Sequence, residues 1–266
     1  MKRFLDLDRR FAIAHRGGAR RRPENTMAAF DDAARLGVDA IELDVHLSKD
    51  GHPVVIHDPT VDRTTNARGA VADYTADALE RLDAAWAFAD AAGLSFRGQG
   101  YGVPTLERVL QRHRDVPFMV ELKGESAELA VRAIEVVRRS DAVDRVLFGS
   151  FSEIPLAAVR RSGLPFITSA AVPEGLSALI RSHFWMGPGR HEYQLFQVPE
   201  VRKGWRIVSQ RFVRLARHAE LPVHVWVVND EPDMRRLLDW GVTGLISDVP
   251  DTAMRVVTET LAGVVE

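Results

Sequence analysis

Cysteine is absent from the 266 residues, which excludes disulfides, thiolate nucleophiles, zinc–thiolate sites and iron–sulfur clusters together. Long hydrophobic runs are also missing: no stretch approaches the ~20 apolar residues of a membrane span. The basic start MKRFLDLDRR meets Asp6 and Asp8 before any apolar run of signal-peptide length. A cytoplasmic protein without stable membrane insertion is therefore expected. Neither charge sign dominates, since 35 Lys and Arg against 37 Asp and Glu leave a net −2. No global basic field exists to hold nucleic acid. Lysine itself is scarce, with four (Lys2, Lys49, Lys123, Lys203) against 31 arginines. A lysine inside a chemical motif is thus less readily explained by composition.

What is present is ordinary globular material, 46% hydrophobic and 27% charged, long enough to bury a sizeable core. Short β-branched runs alternate with helical patterns along the chain. Strands are predicted at 11–17, 40–48, 117–124, 145–151, 165–171, 193–199, 222–229 and 244–250. Helices are predicted over Asn25–Leu36, Ser126–Arg139, Glu153–Arg161, Gly204–Ala219 and Glu231–Trp240. This rhythm fits a (β/α)8 TIM-type barrel, and a doubly wound open sheet fits almost as well. The expected organisation is one domain over 1–266. Residues 59–103, after the strand-like PVVIHD, break the rhythm. Their aromatics suit a small packed insertion or a lid better than a linker.

Chemistry gathers at the strand ends, where such barrels carry function. The first strand closes in His15-Arg16-Gly17, and the second carries Glu42, Asp44 and His46 on one face. His57-Asp58 follows, then Glu121 and Lys123 two apart. Trp226, Asn229, Ser247 and Asp248 close the last strands. Three inward carboxylates, Glu42, Asp44 and Glu121, cannot stay buried and unpaired. With oxygen ligands and no thiolate, Mg²⁺ and Ca²⁺ are the natural counter-ions. His15 and His57 bracket the acids and can supply one general base and one general acid. Arg16 and Lys123 suit the non-bridging oxygens of a phosphodiester. The role of His46 stays open, and the remaining histidines read as structural.

HRG at 15–17, PENT at 23–26, ELDV at 42–45, KDG at 49–51, VVIHD at 54–58, DRTT at 62–65, VPTL at 103–106, ELK at 121–123, SF at 150–151, VWVVN at 225–229 and SDVP at 247–250 form an ordered series. This series resembles the glycerophosphodiester phosphodiesterase family over nearly the whole chain. The resemblance implies a TIM-type barrel that hydrolyses glycerophosphodiesters to sn-glycerol 3-phosphate and an alcohol such as choline or ethanolamine. It also implies Glu42, Asp44 and Glu121 as metal ligands, with one divalent cation and Mg²⁺ favoured over Ca²⁺. His15 and His57 would be the acid–base pair, Arg16 and Lys123 the phosphate clamp, and Phe151 and Trp226 apolar contacts. PENT is expected to be structural, with Pro23 fixing a turn and Asn25 capping a helix. Ala85, where the family often has glycine, is a departure away from the chemistry. A lysophospholipase D or sphingomyelinase-D-like lipid phosphodiesterase on the same fold is the second expectation. It rests on aromatics in 59–103 and around 183–206. A non-catalytic phosphate- or metal-binding module is the third.

Overall fold

A computed structural model describes residues 2–90 and 93–262; the expected domain ends at residues 1 and 263–266, and residues 91 and 92 of the expected insertion, lie outside them. Eleven strands are described: β1 (Phe11–Ala14), β2 (Ala40–Leu47), β3 (Pro53–Val55), β4 (Phe118–Leu122), β5 (Val146–Gly149), β6 (Ile167–Thr168), β7 (Phe196–Pro199), β8 (Val201–Arg202), β9 (Trp205–Arg206), β10 (Val223–Trp226) and β11 (Gly244–Ser247). The helices are α1 (Met27–Leu36), α2 (Ala76–Glu80), α3 (Leu106–Arg112), α4 (Ala127–Arg139), α5 (Glu153–Arg160), α6 (Val172–His183), α7 (Gln210–His218), α8 (Glu231–Asp239) and α9 (Pro250–Ala262).

Eight strands pair in parallel in the order β6-β5-β4-β2-β1-β11-β10-β7. A parallel bridge between Ser169 and Leu195 joins the two ends of this sheet. There the Gln194 N–H donates to Thr168 O and the Ala170 N–H to Leu195 O, each at 3.0 Å. The sheet curls into a barrel with the helices outside, as the alternation predicted. Strands covered on both faces carry near-continuous apolar runs, as FAIA in β1 does.

Strand alternation divides the interior into layers. Phe11, Ile13, Ala40, Met119, Leu147, Ile167, Leu195 and Ile246 form an apolar plug, with Phe4 packed against it. The same inward parity, continued toward the C-terminal strand ends, brings His15, Glu42, Asp44 and Glu121 above that plug. These polar side chains thus sit on a packed floor.

The segment 59–103 follows β3, which turns back antiparallel on β2. Its described part has a small core of its own, in which Val61, Val71, Ala76, Leu79, Ala84 and Val103 pack with Val54 and Ile56. Within it Phe96 meets Phe88 edge-on and Tyr101 at a tilt.

Three expectations are corrected. The helix over Gly204–Ala219 splits into the β8–β9 hairpin, turning at Lys203 and Gly204, and the shorter α7 capped by Ser209. The strand at 165–171 contracts to β6. Asn25 is not the cap of α1; Thr26 is, its hydroxyl oxygen accepting from the Ala29 N–H.

Candidate active site

His15 and Arg16 sit on the single turn that leaves β1, where Arg16 takes a left-handed φ of 50°. That turn points the Arg16 backbone N–H at Glu42 Oε2 (3.1 Å) and brings its guanidinium to an ion-pair distance of 3.2 Å from Asp44 Oδ2. Gly17 follows at φ 83°, and a Cβ there would lie 2.7 Å from the Ala29 methyl. Only glycine fits this close approach of β1's exit to α1.

Glu42 and Asp44 come from β2 and Glu121 from the neighbouring β4, with Asp44 and Glu121 in direct register. One carboxylate oxygen from each lies within 4.8 Å of the others. Lys123 donates from Nζ to Asp44 Oδ1 at 2.8 Å and to Glu121 Oε1 at 3.0 Å. Asp44 is also held by Asn25, whose Nδ2 donates to Oδ2 at 2.9 Å and whose Oδ1 accepts the Asp44 N–H.

These surroundings push the three acids apart. Burial would raise Asp44, but Lys123 and Arg16 outweigh it and hold the carboxyl below its ordinary range. Burial and the Asp44 charge raise Glu42, and burial raises Glu121. Two cationic side chains stand against three acids, Glu42 and Asp44 buried and Glu121 partly exposed. Oxygen donors converging within the span of one coordination sphere fit a hard divalent ion.

Both histidines are oriented by carboxylates. His15 Nδ1 lies 2.6 Å from Asp248 Oδ1, and its Nε2 faces Glu42 at 4.0 Å. Asn229 fixes Asp248 by donating from Nδ2 to Oδ2 (2.9 Å) and accepting the Asp248 N–H (2.9 Å). Burial opposes charge on His15, yet the Asp248 hydrogen bond and the Glu42 charge raise its pKa. His57 Nδ1 lies 2.6 Å from Asp58 Oδ1, while His46 Nε2 meets the His57 carbonyl at 3.0 Å. His46 therefore supports the backbone that carries His57.

A charged chain connects the two halves. Arg63 donates to Asp58 (2.5 Å) and through two nitrogens to Glu24 (2.7 and 2.8 Å), and Glu24 also accepts from Arg16 at 2.8 Å. Sequence reasoning gave none of Glu24, Asn25, Asp58 or Arg63 a role in the site. Their signal lay in the PENT, VVIHD and DRTT motifs, of which PENT was read as a helix start alone.

His15, Arg16, Glu42, Asp44, His57, Glu121, Lys123, Phe151 and Trp226 all line one cavity of about 540 Å³. The Phe151 and Trp226 rings stack at 5.7 Å along one wall. Beyond that wall a second, mainly apolar cavity of about 860 Å³ shares Glu121, Phe151, Gln197 and Trp226 with the first.

The profile of the Glycerophosphoryl diester phosphodiesterase family matches residues 15–252. A glycerophosphodiester phosphodiesterase of Caldanaerobacter subterraneus subsp. tengcongensis is 33% identical over 92% of this chain and 96% of its own. The structure of an Oleispira antarctica phosphodiesterase in complex with the product sn-glycerol 3-phosphate superposes with a TM-score of 0.76. It is 25% identical, covering 92% of this chain and 96% of that one. Human lysophospholipase D GDPD1 is a more distant relative, 27% identical over 90% of this chain and 83% of its own. No helix among the described residues is long and apolar enough to cross a membrane. The chain belongs to the glycerophosphoryl diester phosphodiesterase family, a family of phosphoric diester hydrolases.

Proposed function

We propose that this protein hydrolyses small glycerophosphodiesters, such as glycerophosphocholine or glycerophosphoethanolamine, to sn-glycerol 3-phosphate and the free alcohol. One observation carries the reading: two carboxylate-oriented histidines face a cavity floored by three acids and flanked by Arg16 and Lys123. His15 and His57 act as the acid–base pair, one taking a proton from the attacking oxygen and the other protonating the leaving alkoxide. Arg16 and Lys123 offset the charge that grows on the phosphoryl oxygens. Phe151 and Trp226 hold the apolar edge of the bound diester. Glu42, Asp44 and Glu121 would hold a divalent cation, which would supply Lewis acidity toward the phosphodiester. Mg²⁺ is favoured over Ca²⁺ for a cytoplasmic protein, the chain being one catalytic domain with its insertion at 59–103.

The test is release of glycerol 3-phosphate from glycerophosphocholine with Mg²⁺ or Ca²⁺, against an EDTA control. Metal-dependent release is expected. His15→Ala and His57→Ala should each lower kcat by about 10²–10⁴-fold with melting behaviour retained. A folded, fully active His57→Ala protein overturns the acid–base assignment. A second reading, hydrolysis of a lysophospholipid, is favoured by the apolar cavity adjoining the site. Selective loss of lysolipid turnover on deleting residues 75–100 would give the insertion a part in it.

A further inference from the structure

The aromatic side chains fall into two groups. In the insertion Phe88, Phe96 and Tyr101 pack together and Arg97 covers the Trp86 ring, while Tyr193 and Phe196 are buried. A second group has no such cover. On α6, Val172, Leu176 and Ile180 recur every four residues on one face, at 39, 54 and 53% exposure. Phe184 (69%), Trp185 (65%) and Met186 extend the strip past the helix end, and Trp205 (78%) stands on the β8–β9 hairpin on the same face as its cross-strand partner Arg202. Large contiguous apolar exposure of this kind marks a surface that meets something.

Charge says what it meets. Between 172 and 214 lie seven Arg and Lys against three Glu, in a chain whose overall balance is −2. Two of those glutamates are already paired, Glu174 with Arg160 and Glu200 with Arg206 and Arg236. Arg211 and Arg214 lie 5.2 and 5.8 Å from the Trp185 ring, so cation and aromatic share one spot. Exposed Trp and Phe ringed by arginine is the composition of a face that seats in the headgroup layer of an anionic membrane.

The strip is also continuous with the interior. Val172 and Leu176 are both exposed and part of the wall of the apolar cavity, and Arg202 of the hairpin lines it too while lying 5.5 Å from the Phe151 ring. We propose that α6, the 184–186 turn and the β8–β9 hairpin form a docking face for an anionic lipid surface, with the apolar cavity opening from it toward the reaction site. The cavity's part in this, receiving hydrocarbon from that surface, rests on the hydrolase reading above. The docking face does not.

Flotation of the full chain with vesicles of phosphatidylcholine, with and without phosphatidylglycerol, tests the proposal. Binding is expected only with phosphatidylglycerol, weakening as salt rises, with a blue shift in tryptophan emission. The combined variant Phe184→Ser, Trp185→Ser, Trp205→Ser should weaken binding about tenfold or more, leaving turnover of soluble glycerophosphocholine unchanged. A hairpin-only pair, Lys203→Glu with Trp205→Ser, should weaken it in the same direction and keeps the test usable if the triple variant fails to fold. The proposal is overturned by absence of wild-type binding, or by equal binding of the folded variants. It is equally overturned by a dimer that these substitutions dissociate, which would make a second copy the occupant. Failure of wild-type turnover on the soluble diester would sink the hydrolase reading and leave the vesicle result standing.

Discussion

Arg63 touches none of the residues proposed to meet substrate, yet its guanidinium joins Asp58, behind His57, to Glu24, behind Arg16. Its side chain is nearly half exposed, so these ion pairs add little to stability. Their effect should fall on geometry instead. Arg63→Ala is expected to lower kcat about 10- to 100-fold through misplacement of His57 and Arg16, with the melting temperature little changed and Arg63→Lys recovering part of the loss. Steady-state kinetics beside thermal unfolding would check this, and an unchanged kcat would remove Arg63 from the positioning network. Seven of the nine side chains chosen from sequence share one cavity because strand parity and strand ends could be read from spacing; Phe151 and the place of Trp226 in that cavity followed from the family resemblance. The residues behind them could not. Glu24, Asn25 and Arg63 act from loops, whose course no periodicity records.

Helix α1 shows how an element and the site depend on one cap. Thr26 is fully buried; its hydroxyl donates to the Pro23 carbonyl at 2.7 Å and accepts from the Ala29 N–H. Its neighbour Asn25 holds Asp44. Thr26→Ala should destabilise the fold by about 1–2 kcal/mol, read as a shift in the urea midpoint. Several elements were legible for comparable reasons. Ser126 before an apolar period announced α4, and Gly37 closed α1 at φ 76°. Buried parallel strands announced themselves as β-branched runs. Where the reading failed, local signals conflicted with tertiary placement. The 204–219 pattern ran a hairpin into a helix because Trp205, Ile207 and Val208 supply apolar spacing without core contact at Trp205. Helix α6 escaped notice because its regular apolar stripe faces outward and the preceding strand signal ran into it.

At the scale of the molecule, the inward parity that serves the site at one end of the barrel buries His224 at the other. It is fully enclosed beside Phe4 and Phe11, and neither ring nitrogen has a hydrogen-bond partner among the described residues. Burial alone pushes its pKa down from 6.5 to about 3. The unfolded chain therefore binds a proton that the folded chain refuses between those values. Stability from this group is complete above pH 6.5 and is lost as the pH falls toward 3. His224→Leu is expected to flatten that loss, measured as the fall in melting temperature from pH 7 to pH 4 relative to wild type. An equally steep fall in the variant would assign acid sensitivity elsewhere. The alternation of strands and helices made the barrel legible, but its closure rests on a single bridge between β6 and β7 that no local pattern marks.

The hydrogen bond from His15 to Asp248 spans 233 positions of sequence, beside the pairing of β1 with β11. A ribosome delivers His15 233 residues ahead of its partner. Until Asp248 emerges the imidazole lacks the carboxylate that orients it, and the ring of strands has no closing member between β10 and β1. Competence in the proposed reaction is then acquired when β11 seats beside β1, and a chain cut before β11 carries His15, His57 and the three acids without the carboxylate that orients His15.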